Sequence, residues 1–468
     1  MAVYFWRKLL TDPRAAALLA AFAAFCLALF AHGLFNDGDT YWHIEAGRWM
    51  IDNRAVLHID PFSYTFAGKP WQAHEWLSEI IIALAYVGLG WSGVALLFAA
   101  TFALTAGLLG WHLSRRLSGI TLIVVIILAL CCTTGGLLAR PHVLALPLIE
   151  LWTAALIRAR AEGRAPAWQL LIAMVLWANL HGSFMFGLAL LVPFLLEILG
   201  EKKYDQAKRW ALFSVLAVLA AMITPNGIDT LTFPVKLMAM PELYSINEWQ
   251  PPELKGLQPL TLTVGATLFV LLSRGVRIRV WRLVTLLGLL YMSLLQARHG
   301  QLLAIAGAQL IADPLGEALH NGPRNGKATS RAGEIFCALI LLAVALRLVM
   351  PIRSLDNAVT PAAALAHLPQ PYRQQPMLNA YAFGGYLIFN DMAPFIDGRA
   401  ELYGQDFLHQ YGRLAAGDSK TLHKVLQQYR ITWSLLSPGT PAAAALDHMP
   451  GWRRIYADKT AVLHIREK

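Results

Sequence analysis

Long apolar runs separated by short basic clusters dominate the chain. Runs of roughly 15 to 22 residues, some shorter, occupy 15–35, 91–113, 119–138, 143–158, 167–180, 184–199, 210–225, 259–273, 283–298, 300–312 and 335–350. Runs of this length cross a bilayer as helices. Lys and Arg gather between alternate runs, at 7, 8, 14, 115, 116, 158, 160, 164, 202, 203, 208, 209, 274, 277, 279, 282, 324, 327 and 331. Positive charge marks the cytoplasmic side, so about eleven spans place the N-terminus inside and the C-terminus outside.

Two outward segments are long. In 36–90, Ile44, Trp49 and Ile51 recur at helical spacing with Trp42 on a flank, which predicts a helix lying in the membrane interface. Trp71, Trp76 and the apolar run 80–87 predict a second such helix. The other outward segment, 224–259, is rich in proline and holds Asn226, Glu242, Tyr244, Glu248 and Trp249. After position 350 the long runs stop. Residues 351–468 predict a small α/β domain, with strands at 386–389, 394–396, 432–436 and 461–465 and a helix at 422–429. The expected fold is mainly α: a polytopic helical bundle over 1–350 and an extracytoplasmic α/β domain over 351–468.

Composition agrees with this class. Of 468 residues, 57% are hydrophobic and 15% charged, against about 25% charged in a soluble protein. The net charge of +10 is accounted for by the inward loops, so it implies membrane lipids and no nucleic-acid partner. Cys26, Cys131, Cys132 and Cys337 all fall in apolar runs, which predicts no disulfide framework. The first run exceeds a typical signal-peptide core and predicts a retained helix.

Candidate chemistry collects at the outward ends of the runs. Asp37, Asp39 and His43 follow the first, and His74 and Glu75 lie later in the first loop. Arg140 and His142 flank Pro141; Asn179 and His181, then Arg298 and His299, occupy two further outward ends. Each type also has a structural use: Asp-Gly-Asp caps helices, Arg snorkels to headgroups and His sits at helix ends. Together, Arg and His at an outer mouth suit a lipid phosphate, since guanidinium offers paired donors to phosphate oxygens. The acidic pair leaves two readings open, a general base or ligands of a divalent cation such as Mg2+ or Mn2+. His43 shares a helix face with Asp39 and would orient it or complete a metal site. Trp42, Trp71 and Trp76 offer interfacial anchors or faces for sugar stacking.

A first helix, an outward loop opening on Asn36-Asp37-Gly38-Asp39-Thr40-Tyr41-Trp42-His43, many further spans and an outward C-terminal domain resemble the GT-C glycosyltransferases. The acidic motif is similar to the first-loop motif of that superfamily, where an Asp acts in catalysis. Residues 379–388, Asn-Ala-Tyr-Ala-Phe-Gly-Gly-Tyr-Leu-Ile, distantly resemble the WWDYG region of oligosaccharyltransferase catalytic subunits. Ala382 or Phe383 stands where that motif has its acid, so acceptor-sequon recognition is not implied. The segment 395–399, with Asp397 and Arg399, falls where those enzymes have another acidic strand-turn; two residues apart, the pair would bind substrate, pair with each other or dock the domain. A bacterial branch with DGDTYWHI, RPH, NLHG and FIDGR-like elements is more similar still.

The resemblance implies a bacterial inner-membrane enzyme of envelope polysaccharide synthesis. It would move a sugar or oligosaccharide from a polyprenyl-phosphate carrier to an extracytoplasmic acceptor. A lipid-linked substrate transporter or flippase, or a non-catalytic assembly component, are the rival expectations. A transporter would carry ionisable residues near the bilayer midplane and inverted repeats, which the sequence does not display.

Overall fold

Every apolar run is helical in the computed structural model, which describes residues 13–238, 240, 249–322, 331–350, 352 and 356–467. Glu242, Tyr244 and Glu248 and the basic positions 7, 8, 324 and 327 lie outside the described residues. The helices are α1 (Pro13–Leu29), α2 (Asp39–Asn53), α3 (Trp76–Ser114), α4 (Gly119–Thr134), α5 (Pro141–Ala161), α6 (Leu170–Leu180) and α7 (Phe184–Gly200). They continue as α8 (Tyr204–Ala221), α9 (Asp229–Met238), α10 (Pro259–Ser273), α11 (Val280–Leu295), α12 (Gly300–Ala318) and α13 (Arg331–Val349). By length and composition, α3 and α5 are long and apolar enough to cross a membrane; several others are apolar but shorter.

The bundle wears its hydrophobic residues outward as well as inward. Ile120, Ile172, Phe269, Leu272 and Val280 are all exposed, and apolar α10 buries no residue at all. Helices apolar all round belong in hydrocarbon. Inside, Gly107 of α3 meets Ala17 and Ala21 of α1, and Gly110 meets Ala16, Ala17 and Ala20, small residues that let two backbones approach. The 21 residues of α5 span about 30 Å, with Arg140 before one end and Arg160 at the other. At that second end Glu197 and Glu201 take Arg160 and Arg279, and Glu197 also pairs with Arg282.

The first loop departs from the expectation. The helix at 41–51 exists as α2, and protein covers faces that the expectation gave to lipid. Thr40 to Ile44, Ala46, Gly47 and Met50 are buried by protein on both sides. Ile44 joins the core of the bundle, whereas Trp42, Ala46 and Met50 join a second core with Trp71, Leu378, Ile388, Phe395 and Tyr403. The first loop and the C-terminal segment thus share one hydrophobic core. The run at 80–87 is the first half of α3, which breaks at Leu89 and Gly90 before the long membrane half begins. Gly90 adopts φ 58°, ψ −147°, open to glycine and strained for other residues.

The C-terminal segment carries four strands: β1 (Met377–Asn379), β2 (Trp433–Leu436), β3 (Trp452–Ala457) and β4 (Val462–Arg466). Their order is β1-β2-β4-β3, with β1 parallel to β2 and the other pairs antiparallel. Met377 pairs with Trp433, and Trp433 with Ile465. Five helices complete the segment: α14 (Ala362–Ala366), α15 (Gly384–Phe389), α16 (Ala400–Ala415), α17 (Ser419–Gln428) and α18 (Pro441–Asp447). The strands expected at 386–389 and 394–396 are absent. The first stretch is α15, whose Leu387 packs into the sheet's core and Ile388 into the core shared with the first loop. The second is an extended turn held by Asn379, whose Oδ1 accepts the Phe395 N–H at 2.8 Å.

Candidate functional site at one end of the bundle

Local sequence sets up the Asp-Gly-Asp turn. Asp37 Oδ1 accepts the Asp39 N–H at 2.8 Å, closing an Asx turn that starts α2. Arg140 precedes Pro141, so steric conflict with the proline ring keeps it extended (φ −128°, ψ 155°) and out of α5. Its side chain projects onto the turn. Nη1 donates to Asp37 Oδ2 at 3.3 Å, and Nη2 lies 2.8 Å from Asp39 Oδ2. The Thr40 hydroxyl donates to the Ala139 carbonyl at 3.0 Å, and the Ala139 N–H to the Leu34 carbonyl at 2.8 Å, which clasp the two segments together.

Asp39 is enclosed from the other side by the C-terminal segment. Its Oδ1 accepts the Trp42 Nε1–H at 3.0 Å, and a methyl at Gly398 would collide with that same oxygen. A methyl at Gly385 would strike the Gly38 carbonyl. These glycines serve close approach; Gly385 lies within helical α15 and needs no unusual backbone angle. His43, although four residues from Asp39, turns the other way. Its Nδ1 is 3.2 Å from Glu79 Oε1.

That histidine belongs to a ring around Glu75. His181 Nε2 lies 3.4 Å from Glu75 Oε1, His74 Nε2 3.8 Å from the same oxygen, and His43 Nε2 3.9 Å from Oε2. The Ser183 N–H donates to His181 Nδ1 at 3.0 Å, which leaves the neutral ring's proton on Nε2, facing Glu75. Burial pushes the Glu75 carboxyl above its usual range, against the opposing pull of His74, Arg140 and Arg298. Burial, reinforced by Arg140, His74 and His142, holds His43 well below the usual imidazole range. Burial also lowers His181, helped by His142 and Arg298. Arg140 and Arg298 thus lie within electrostatic reach of one buried carboxylate.

The remaining sequence candidates divide. The Asn179 Oδ1 accepts the Trp76 Nε1–H at 2.8 Å, and both line an open cavity of about 480 Å³ with Leu176 and Ile223. The Arg298 guanidinium stacks 4.5 Å from the centre of the Trp249 ring. His142 Nε2 donates to the Gly136 carbonyl at 2.8 Å while its ring sits 6.1 Å from that of His181. His299 turns back on α11, donating from Nδ1 to the Met292 carbonyl at 3.2 Å.

Asp397 and Arg399 are fully buried, with 0% exposure each, and do not face the site. Arg399 Nε and Nη2 bond the two Asp397 oxygens at 2.8 and 2.6 Å, and Nη1 bonds Asp60 Oδ1 at 2.6 Å. The Tyr403 hydroxyl donates to Asp397 Oδ2 at 2.6 Å, and the guanidinium stacks between Phe62 and Trp71. A substrate role for the pair is therefore replaced by a structural one: they fasten the first loop to the C-terminal segment.

A metal ion does not fit the acidic pair. Arg140 already lies on both carboxylates, and among the described residues no three His, Cys, Asp or Glu side chains gather to hold one.

Sequence reasoning missed Glu79, although it follows Glu75 by one helical turn on an otherwise apolar helix. It also missed His112, Glu150 and Gln309, which form a polar trio inside the bundle; His112 Nδ1 lies 2.9 Å from Glu150 Oε1. Three separate helices supply that trio, so no local motif announces it.

No protein-family profile matches the chain, and no curated protein is similar to it. Solved structures are. The oligosaccharyltransferase AglB of Archaeoglobus fulgidus, in complex with an inhibitory peptide and a dolichol-phosphate, superposes with a TM-score of 0.58 at 11% identity. The match covers 91% of this chain and 69% of that one. The A. fulgidus oligosaccharyltransferase in its apo form gives 0.52 at 12% identity, over 90% and 69%. The chain therefore has a fold similar to that of this archaeal oligosaccharyltransferase.

Proposed function

We propose that this chain is a multi-pass glycosyltransferase of a bacterial inner membrane, with a cytoplasmic N-terminus and an extracytoplasmic C-terminal domain. It moves a sugar or oligosaccharide from a polyprenyl-phosphate-linked donor to an extracytoplasmic acceptor in envelope polysaccharide synthesis. The observation that carries this reading is the buried Glu75, ringed by three imidazoles and reached by Arg140 and Arg298, at one end of an AglB-like bundle.

In the proposed step the acceptor oxygen or nitrogen bonds to the anomeric carbon. The bond from that carbon to the donor phosphate breaks, and its electron pair stays on the phosphate. The acceptor's proton goes to the Glu75 carboxylate, whose raised affinity for protons suits a base working near neutral pH. This moves the base from Asp37 or Asp39, both paired with Arg140, to a carboxylate whose close ionisable neighbours, among the described residues, are imidazoles. Arg140 and Arg298 offset the charge gathering on the phosphate. The apolar cavity beside Trp76 suits the first isoprene units of the carrier.

The test is release of polyprenyl phosphate from a radiolabelled polyprenyl-phosphate sugar by the purified chain in detergent. Release that is lost in Glu75→Gln supports the reading. Donor carried intact across a proteoliposome bilayer, with no bond broken, replaces it with a flippase.

A further inference from the structure

We infer that Arg140 stands in for a divalent cation at the acidic pair, so that this site works without a metal ion. Its two terminal nitrogens reach one oxygen each of Asp37 and Asp39, at 3.3 and 2.8 Å, and thereby bridge the two carboxylates. The other oxygen of each carboxylate is also taken: Asp37 Oδ1 by the Asp39 N–H, and Asp39 Oδ1 by the Trp42 indole. Every one of the four oxygens thus already accepts a donor, and a hard cation would have to share both carboxylates with the guanidinium and its like charge. Displacement of the guanidinium is disfavoured by geometry, because Pro141 fixes the backbone of Arg140 outside α5 and aims it at the turn. Three full-charge groups then sum to −1, where the carboxylates alone would sum to −2. A permanently charged, planar group supplies the compensation, and it does so at any pH the protein meets.

The inference deepens the transferase reading for its chemistry, but its test does not depend on turnover. The probe is Mn2+, titrated into the purified full-length chain in detergent and followed by electron paramagnetic resonance. The wild-type chain is expected to leave Mn2+ free, with no saturable site that Asp37→Asn or Asp39→Asn removes. Arg140→Asp exchanges the cation for a third carboxylate and is expected to create a site for one ion per chain, lost again when Asp39→Asn is added. Saturable wild-type binding that Asp39→Asn abolishes would overturn the inference, as would a folded Arg140→Asp chain that binds no Mn2+. If Arg140→Asp does not fold, the wild-type titration decides alone. In a parallel donor-cleavage assay, activity that survives EDTA agrees with the inference, and activity that EDTA abolishes and Mn2+ restores overturns it. Absence of any cleavage bears on the transferase reading only, since the spectroscopic result stands by itself.

Discussion

Two arginines each bridge two carboxylates in this molecule, and they do opposite work. Arg399 spans Asp397 and Asp60 with all four side chains' worth of contact sealed from solvent, including Tyr403. Arg140 spans Asp37 and Asp39 at a partly open mouth, where its side chain keeps 19% exposure. The sealed cluster has two aromatic rings over its guanidinium and leaves no room for a ligand. The open one borders a buried carboxylate and a ring of histidines. Identical pairing chemistry therefore becomes a fastener when every donor is buried, and a candidate reaction centre when one side stays accessible.

The largest effect should come from breaking the fastener. Arg399→Ala leaves Asp60 and Asp397 buried without a counter-charge, a loss of about 3–5 kcal/mol. Thermal unfolding in micelles should show it, together with new protease cuts between 54 and 75, where the first loop would separate from the C-terminal segment. Arg140→Ala should behave differently. Its partly exposed pairs are worth about 1 kcal/mol to stability, yet loss of a charge-compensating donor should lower transfer by about 10²–10³-fold. A mutant pair in which Arg140→Ala unfolds the chain and Arg399→Ala spares it would reverse the assignment.

A smaller effect should separate the site from its enclosure. Gly398→Ala drives a methyl against Asp39 Oδ1, an overpacking cost of about 1–3 kcal/mol, without removing any charge. If the close approach matters only for packing, stability falls and the KM for donor is unchanged. If it positions Asp39 and hence Arg140, KM or kcat moves in the same mutant.

How far the sequence announces these features depends on how local each one is. Apolar periodicity and basic loops locate the helices, because a helix's lipid-facing and core-facing positions are both apolar within one short segment. Asp37, Asp39 and Arg140 stand out because they interrupt that pattern at its edges. What α2 packs against is not legible: the interfacial spacing of Ile44, Trp49 and Ile51 is also the spacing of a helix buried between two cores. The helix at 384–389 reads as a strand because Tyr-Leu-Ile-Phe favours one, and only tertiary packing of Leu387 and Ile388 decides otherwise. The spacing of Asp397 and Arg399 allows for their pairing with each other, but not for the third member, Asp60, which lies more than three hundred positions away in the chain.

The finest prediction concerns the proton affinity of Glu75. Its folded pKa is raised, chiefly by burial, above the ordinary value of 4.5. The folded chain therefore holds the proton more tightly than the unfolded chain. Stability from this group is complete below the unfolded value and is lost as pH rises through the folded one. At neutral pH, well above the unfolded value, Glu75 is a stability cost, and Glu75→Gln should remove it. The variant should thus melt higher than wild type at pH 7, with the difference vanishing near pH 4. Transfer should show the reverse dependence: a base must be ionised, so wild-type activity should rise with pH through a midpoint above 4.5, and Glu75→Gln should lose both the activity and that limb. A variant that is more stable at pH 7 and inactive is the signature of a residue kept for chemistry at the expense of the fold. Equal melting at both pH values, with activity retained, would return the base to Asp39 and leave the histidine ring as packing.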